Sequence, residues 1–211
     1  MTHIQSKIYS YPEYMFSMDW FTHNIPIWHR FFTDNNLYNK PSLKCLEIGS
    51  FEGRSTVYLL DHVLTDPESS IDVIDTFDGS AHEEGMKGLN LNNLLDCFKY
   101  NTRHHSRKVN ILQGPSNKVL PTLDLVETYD IIYIDGSHRA QDVLFDAVLC
   151  HRLLKQYGLL IFDDYLWEGN TQKYHRPKIA IDAFISTHEN LYEILWSDYQ
   201  VICKKLESNH E

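Results

Sequence analysis

From residue 43 onward the chain repeats one alternation: a short apolar run, a polar turn, then an amphipathic stretch. Apolar runs at 43–48, 70–75, 109–112, 129–135 and 158–162 have the length of strands. The 129–135 run is apolar on both faces, as a buried parallel strand should be. Residues 54–64, 89–102 and 117–125 fill the gaps with helical spacing. The clearest helix follows residue 138. Val143, Ala147, Cys150 and Leu154 make its apolar stripe, Leu144 and Val148 widen it, and Gly158 reads as its stop. A last helix covers 179–187, and strands at 192–196 and 200–204 are joined by three residues, Ser197 to Tyr199, short enough for a hairpin.

The first forty residues are aromatic and irregular. Asn24 with Pro26 reads as a helix start, and Trp28, Phe31 and Phe32 then share one helical face. Residues 1–40 are expected to be a helical extension packed on the domain, with a roof over the substrate site and a dimer contact both open; residues 41–211 form one domain. Repeated strand–helix alternation predicts an α/β fold, a Rossmann-like doubly wound and mostly parallel sheet with an antiparallel C-terminal strand. Ligands in such sheets bind at the carboxyl ends of the strands.

Composition narrows the partners. A formal charge of −10 with dispersed lysine and arginine argues for a small-molecule substrate and against a nucleic-acid groove. No apolar run has the length of a membrane span and the N-terminus lacks the apolar core of a secretory signal, so no membrane partner is expected and the cytoplasm is the expected compartment. The four cysteines stand far apart without a CxxC pair, which speaks against disulfides or a zinc site. A homo-oligomer is left open.

The strand ends carry the chemistry. Glu47, Gly49 and Gly53 stand in the order E-x-G-x-x-x-G, a turn that brings backbone close to a ligand and opens a helix N-terminus. Phe51 occupies the position where a dinucleotide fingerprint needs glycine. Asp75 ends the second strand, where a carboxylate can accept from both ribose hydroxyls. Gly114, Pro115 and Ser116 follow the third, and Ser116 suits either an adenine contact or a helix cap. Asp135-Gly136-Ser137-His138 and Asp163-Asp164-Tyr165 end the fourth and fifth. Three acids gathered there repel one another unless a cation or protons neutralise them. Hard oxygen donors suit magnesium, with calcium or manganese as alternatives. His138 stands where an imidazole can take a proton from a substrate hydroxyl. The plainer alternative makes the aspartates a helix-capping pair and His138 a surface residue.

These segments resemble the class I S-adenosylmethionine-dependent methyltransferases, specifically the metal-dependent O-methyltransferases of the catechol and macrolide-sugar types. The likeness runs over about 43–162 and continues more faintly to the end: LEIGSFEGRST is similar to the first motif, VNILQGPSNKVLPTL to the adenine segment, and YDIIYIDGSH with LLIFDDY to the metal-bearing strands. The resemblance implies S-adenosylmethionine lined by Glu47, Gly49, Ser50, Phe51, Gly53, Ser55, Asp75, Thr76, Phe77, Gly114, Ser116 and Asp135. It implies a divalent metal, magnesium, on Asp135, Asp163 and Asp164. The catechol type has Asn at the last position and Lys in place of His138, so the sugar-modifying branch is the nearer match. The acidic loop 76–88 departs from the catechol type, and the chain is too short for the longer lids of the sugar enzymes. The implied reaction is metal-assisted O-methylation of a small hydroxylated molecule with His138 as base. A nicotinamide-dependent oxidoreductase and a non-catalytic cofactor-binding module are the competing classes.

Overall fold

The computed structural model describes residues 14–79, 93–169 and 172–207. Its strands are β1 (Lys44–Ile48), β2 (Ser70–Asp75), β3 (Val109–Gln113), β4 (Tyr129–Ile134), β5 (Leu154–Phe162), β6 (Tyr192–Ser197) and β7 (Val201–Lys205). They form one sheet in the order β3-β2-β1-β4-β5-β7-β6. Strands β1 to β5 pair in parallel, and β7 runs antiparallel between β5 and β6. This is the Rossmann-like sheet that the alternation predicts. The antiparallel strand is the last in the chain but not the last in the sheet.

Among the described residues, six α-helices cover the faces: α1 (Ile25–Asp34), α2 (Arg54–Tyr58), α3 (Leu94–Asn101), α4 (Ser116–Val119), α5 (Ala140–Leu153) and α6 (Pro177–Thr187). A π-helical turn, Leu59–Val63, extends α2. Because side chains alternate along a strand, β1 sends Cys45 to one core and Leu46 and Ile48 to the other. The first core packs Trp28, Phe32, Leu59 and Phe98 on the sheet; the second packs Ala147, Cys150 and Phe184. Each fully buried Leu, Ile or Phe contributes about 1.5–3 kcal/mol. All four cysteines are free.

Register levels the functional ends. Ile48 stands beside both Ile74 and Ile134, and Ile134 beside Phe162. One more hydrogen bond follows in each case: Gly49 N–H to Ile74 C=O (2.9 Å), Asp135 N–H to Ile48 C=O (2.8 Å), and Asp163 N–H to Ile134 C=O (3.0 Å). The turn and two of the three acids therefore leave the sheet at one height.

Several local expectations are corrected. Helix α5 ends at Leu153, and Leu154 already pairs with Tyr129 in the sheet. The stripe is completed by Leu153 instead, while Val148 is 45% exposed. Gly158 is not the helix stop but lies inside β5, beyond a register shift, where an added Cβ would come within 3.0 Å of the Asp130 carbonyl. Ser116 is the first residue of α4, and Pro115 stands at the cap position instead. The helix expected over 89–102 is seen as α3; residues 89–92 and most of the 76–88 loop lie outside the described residues. Among the described residues, no helix is long and apolar enough to cross a membrane.

Candidate active site

The glycine turn is tied to Asp75. One carboxylate oxygen accepts from the Ser50 N–H (2.6 Å) and Phe51 N–H (2.9 Å), and the other from the Phe77 N–H (2.7 Å). Gly49 has φ +83°, and an added Cβ would lie 2.1 Å from the Asp135 carbonyl oxygen. Glycine is thus what lets the turn pass over β4. Glu47 is fully buried beneath it and accepts from the Ser55 and Thr56 hydroxyls at the start of α2. Burial pushes Glu47 up to about 7 despite those two donors.

On the other side of β1 the carboxylates face each other. The Tyr133 hydroxyl lies within hydrogen-bonding reach of both Asp135 (2.9 Å) and Asp163, and its one proton serves one of them at a time. Asp163 accepts further from the Gln200 amide (2.8 Å) and from the Asp164 N–H (2.8 Å). Asp164 has φ +59° and meets Nε2 of His138 at 2.5 Å. Trp167 stacks on the His138 ring with centroids 4.5 Å apart and planes 21° from parallel. Burial raises the Asp135 carboxyl well above the usual carboxylate range, and the charges of Asp163 and Asp164 add to it. Asp163 is raised by burial and then by Asp164, against the donors that surround it.

One cavity of about 1320 Å³ opens on both groups. Its wall includes Gly49, Ser50, Phe51, Ser55, Asp75, Thr76, Gly114, Ser116, Asp135, His138, Asp163 and Asp164. Glu47, Gly53 and Phe77, expected to line the cofactor, are not on that wall. Glu47 braces the turn from below, Gly53 starts α2 in the left-handed region against the Phe98 ring, and Phe77 packs on Phe98. Nor are the three acids gathered as an ion's ligands: among the described residues, no three acidic, histidine or cysteine side chains stand close enough together to hold one. Tyr133 bridges two of the acids and His138 engages the third. In kind, however, the donors fit a hard divalent cation, being three carboxylates whose two inner members are driven toward protonation.

The N-terminal segment forms the remaining wall through Phe16, Met18, Asp19, Trp20, Phe21 and His23. Buried Asn101 accepts from the Met15 N–H and donates to the Met15 and Glu52 carbonyls. Glu52 accepts from the Ser17 N–H (2.6 Å), and Arg54 donates to the Met18 carbonyl and lies 4.3 Å over the Phe16 ring.

Residues 46–165 match the family described as methyltransferase domain. The chain belongs to that family. Its fold agrees with solved methyltransferases at low identity. The O-methyltransferase from Bacillus cereus, solved in complex with SAH, is 15% identical, with 90% of this chain and 83% of that one aligned at a TM-score of 0.62. For the O-methyltransferase NovP the figures are 20% identity, 88% and 79% coverage, and 0.61. TomG, the O-methyltransferase from Streptomyces achromogenes involved in tomaymycin synthesis and solved with SAM, gives 15%, 86%, 78% and 0.58. Among curated proteins, uncharacterized protein R132 of Acanthamoeba polyphaga mimivirus is 29% identical over 133 residues, 62% of this chain. The match covers 55% of that protein, so the chain spans about half the length of the curated relative it matches.

Within this methyltransferase fold, sequence reasoning missed Tyr133, Gln200, Trp167 and the Asn101–Glu52–Arg54 ties. Tyr133 had a signal: it stands two positions before Asp135 on one strand, hence on the same face. Gln200 had none of its own. It reaches Asp163 because Phe162 pairs with Val201, which sets the residues beyond each side by side.

Proposed function

We propose that the chain is an S-adenosylmethionine-dependent O-methyltransferase acting on a small hydroxylated molecule of sugar, phenol or natural-product type, with a divalent cation, magnesium, at Asp135, Asp163 and Asp164. The observation that carries this reading is the single cavity shared by the Asp75-braced glycine turn and the acids beside His138. When bound, S-adenosylmethionine supplies an activated methyl group, and a cation on the three carboxylates lowers the pKa of the acceptor hydroxyl. The chain's own residues do the rest. The turn from Gly49 to Gly53 and Asp75 hold the cofactor, and the aromatic N-terminal wall keeps water from it. His138 takes the proton from the acceptor oxygen, and the Asp164 carboxylate 2.5 Å from its Nε2 steadies the positive charge the ring gains. Enclosure and alignment of acceptor and donor supply most of the rate.

A second reading has its own observation. The Tyr133 hydroxyl stands between Asp135 and Asp163, and one proton shared by that pair would relieve their repulsion without a cation. Turnover over a panel of hydroxylated small molecules, with magnesium and with chelator, tests both. Chelator is expected to abolish methylation and magnesium to restore it. A full rate in chelator would keep the methyltransferase and assign neutralisation to a proton on the Asp135–Asp163 pair. Calorimetry with S-adenosylmethionine against NADH tests the class: saturable NADH binding with no response to S-adenosylmethionine would overturn the proposal.

A further inference from the structure

The contacts behind Asp163 form a closed circuit, three hydrogen bonds completed by one aromatic contact. The Trp28 Nε1–H of α1 donates to the Gln200 Oε1 at 2.8 Å, and the Gln200 Nε2 donates to Asp163 Oδ2 at 2.8 Å. Tyr133 donates to the same Asp163 oxygen, and its ring meets the Trp28 indole edge-on, with centroids 4.9 Å apart and planes at 90°. Trp28 is 0%, Gln200 1% and Tyr133 1% exposed, so water does not complete any of these bonds.

We propose that Gln200, locked by Trp28, is a positioning residue that fixes the Asp163 carboxylate for the acceptor site; the use made of Asp163 rests on the function proposed above. An amide can turn either its oxygen or its NH2 toward a neighbour, and only the second suits a carboxylate. An indole N–H can only donate, so it accepts no partner but the amide oxygen. Trp28 therefore selects one of the two amide orientations and directs the NH2 at Asp163. A buried polar network with every member satisfied holds one arrangement, whereas a half-satisfied one does not. Helix α1 thus acts on the chemistry from behind the sheet without touching a ligand.

Three variants test this: Trp28→Phe, which keeps a ring but removes the N–H; Gln200→Leu, which removes the donor; and Gln200→Glu, which sets a second acceptor against Asp163. The direct readout is the crystal structure of each variant, since it needs no turnover. Asp163 is expected to leave Tyr133 in Gln200→Leu and Gln200→Glu, and the Gln200 side chain to move out of hydrogen-bonding distance of Asp163 in Trp28→Phe. A carboxylate that stays in place in all three overturns the proposal. On an accepted substrate, each variant should lose about 10- to 100-fold in kcat with the dissociation constant for S-adenosylmethionine unchanged. Trp28→Phe should have no further effect on kcat once Gln200 is Leu, because the indole acts only through the amide. Additive losses, or a lowered Tm with kcat intact, would reduce the circuit to packing. If the wild-type protein methylates nothing, the proposed function falls while the displacement of Asp163 still decides the circuit.

Discussion

Two strand ends on either side of β1 use the same residue type in opposite ways. Asp75, at the end of β2, is surrounded by donors: three backbone N–H groups and the Ser50 hydroxyl converge on it. Asp135 and Asp163, after β4 and β5, face each other across one tyrosine hydroxyl, and only Asp163 has further donors, the Gln200 amide and the Asp164 N–H. In the first region charge is absorbed locally, and the carboxylate builds the loop. In the second it is left incompletely compensated, and burial with like charge drives both groups toward protonation. A satisfied acid shapes a binding surface. A buried acid beside a like charge keeps the capacity to take a cation or a proton, which is the asymmetry the proposed function needs between its donor half and its acceptor half.

The sharpest way to break that contrast is on the acceptor side. His138→Ala should lower kcat by about 10²- to 10⁴-fold while calorimetry finds S-adenosylmethionine bound as before. Loss of cofactor affinity in step with activity would dissolve the division between the halves. On the donor side, Asp75→Ala leaves three backbone N–H groups without their acceptor, at about 1–3 kcal/mol each where water cannot replace it. Cofactor affinity and the urea midpoint should fall together; an unchanged midpoint would show that Asp75 does not build the loop. Gly49→Ala tests the crossing between the halves. Its left-handed φ alone costs about 1–3 kcal/mol, and the approach to the Asp135 carbonyl adds to that. Unfolding in urea should register the loss without any ligand.

The smallest expected effect concerns Glu47. Its folded pKa, about 7, lies above the ordinary 4.5, so the folded protein holds this proton more tightly than the unfolded chain does. Its contribution to stability is therefore fully present below 4.5 and is lost as pH rises through about 7. Glu47→Gln should flatten that part of the stability profile, measured by urea midpoints across the range. An identical slope in the variant would place the titration elsewhere.

The same contrast explains what was legible. The turn, Asp75 and the acids after β4 and β5 are local: each is announced by a strand and the residues next to it. Parallel pairing then followed from the alternation of strands and helices, whereas strand order and register came only with the structure. The end of α5 was misread because Leu154 is apolar and suits a helix stripe or a buried strand equally, and only the partner, Tyr129, decides. Glu47 looked like a ligand-facing residue because its motif does not state which face of β1 it occupies. Tyr133 was recoverable from the two-residue period. Gln200 and Trp28 were not, since their meaning depends on a pairing between strands far apart in the chain.

The contact between Trp28 and Gln200 spans 172 residues. During synthesis the glycine turn and its aspartate need only elements up to the end of β4. The wall behind Asp163 must wait for β7, which slots between two strands made before it. Long-range closures of this kind are late and slow. On the proposed function, a nascent chain that has not yet inserted β7 would own a cofactor cradle but no ordered acceptor centre, and competence for transfer would wait for that strand.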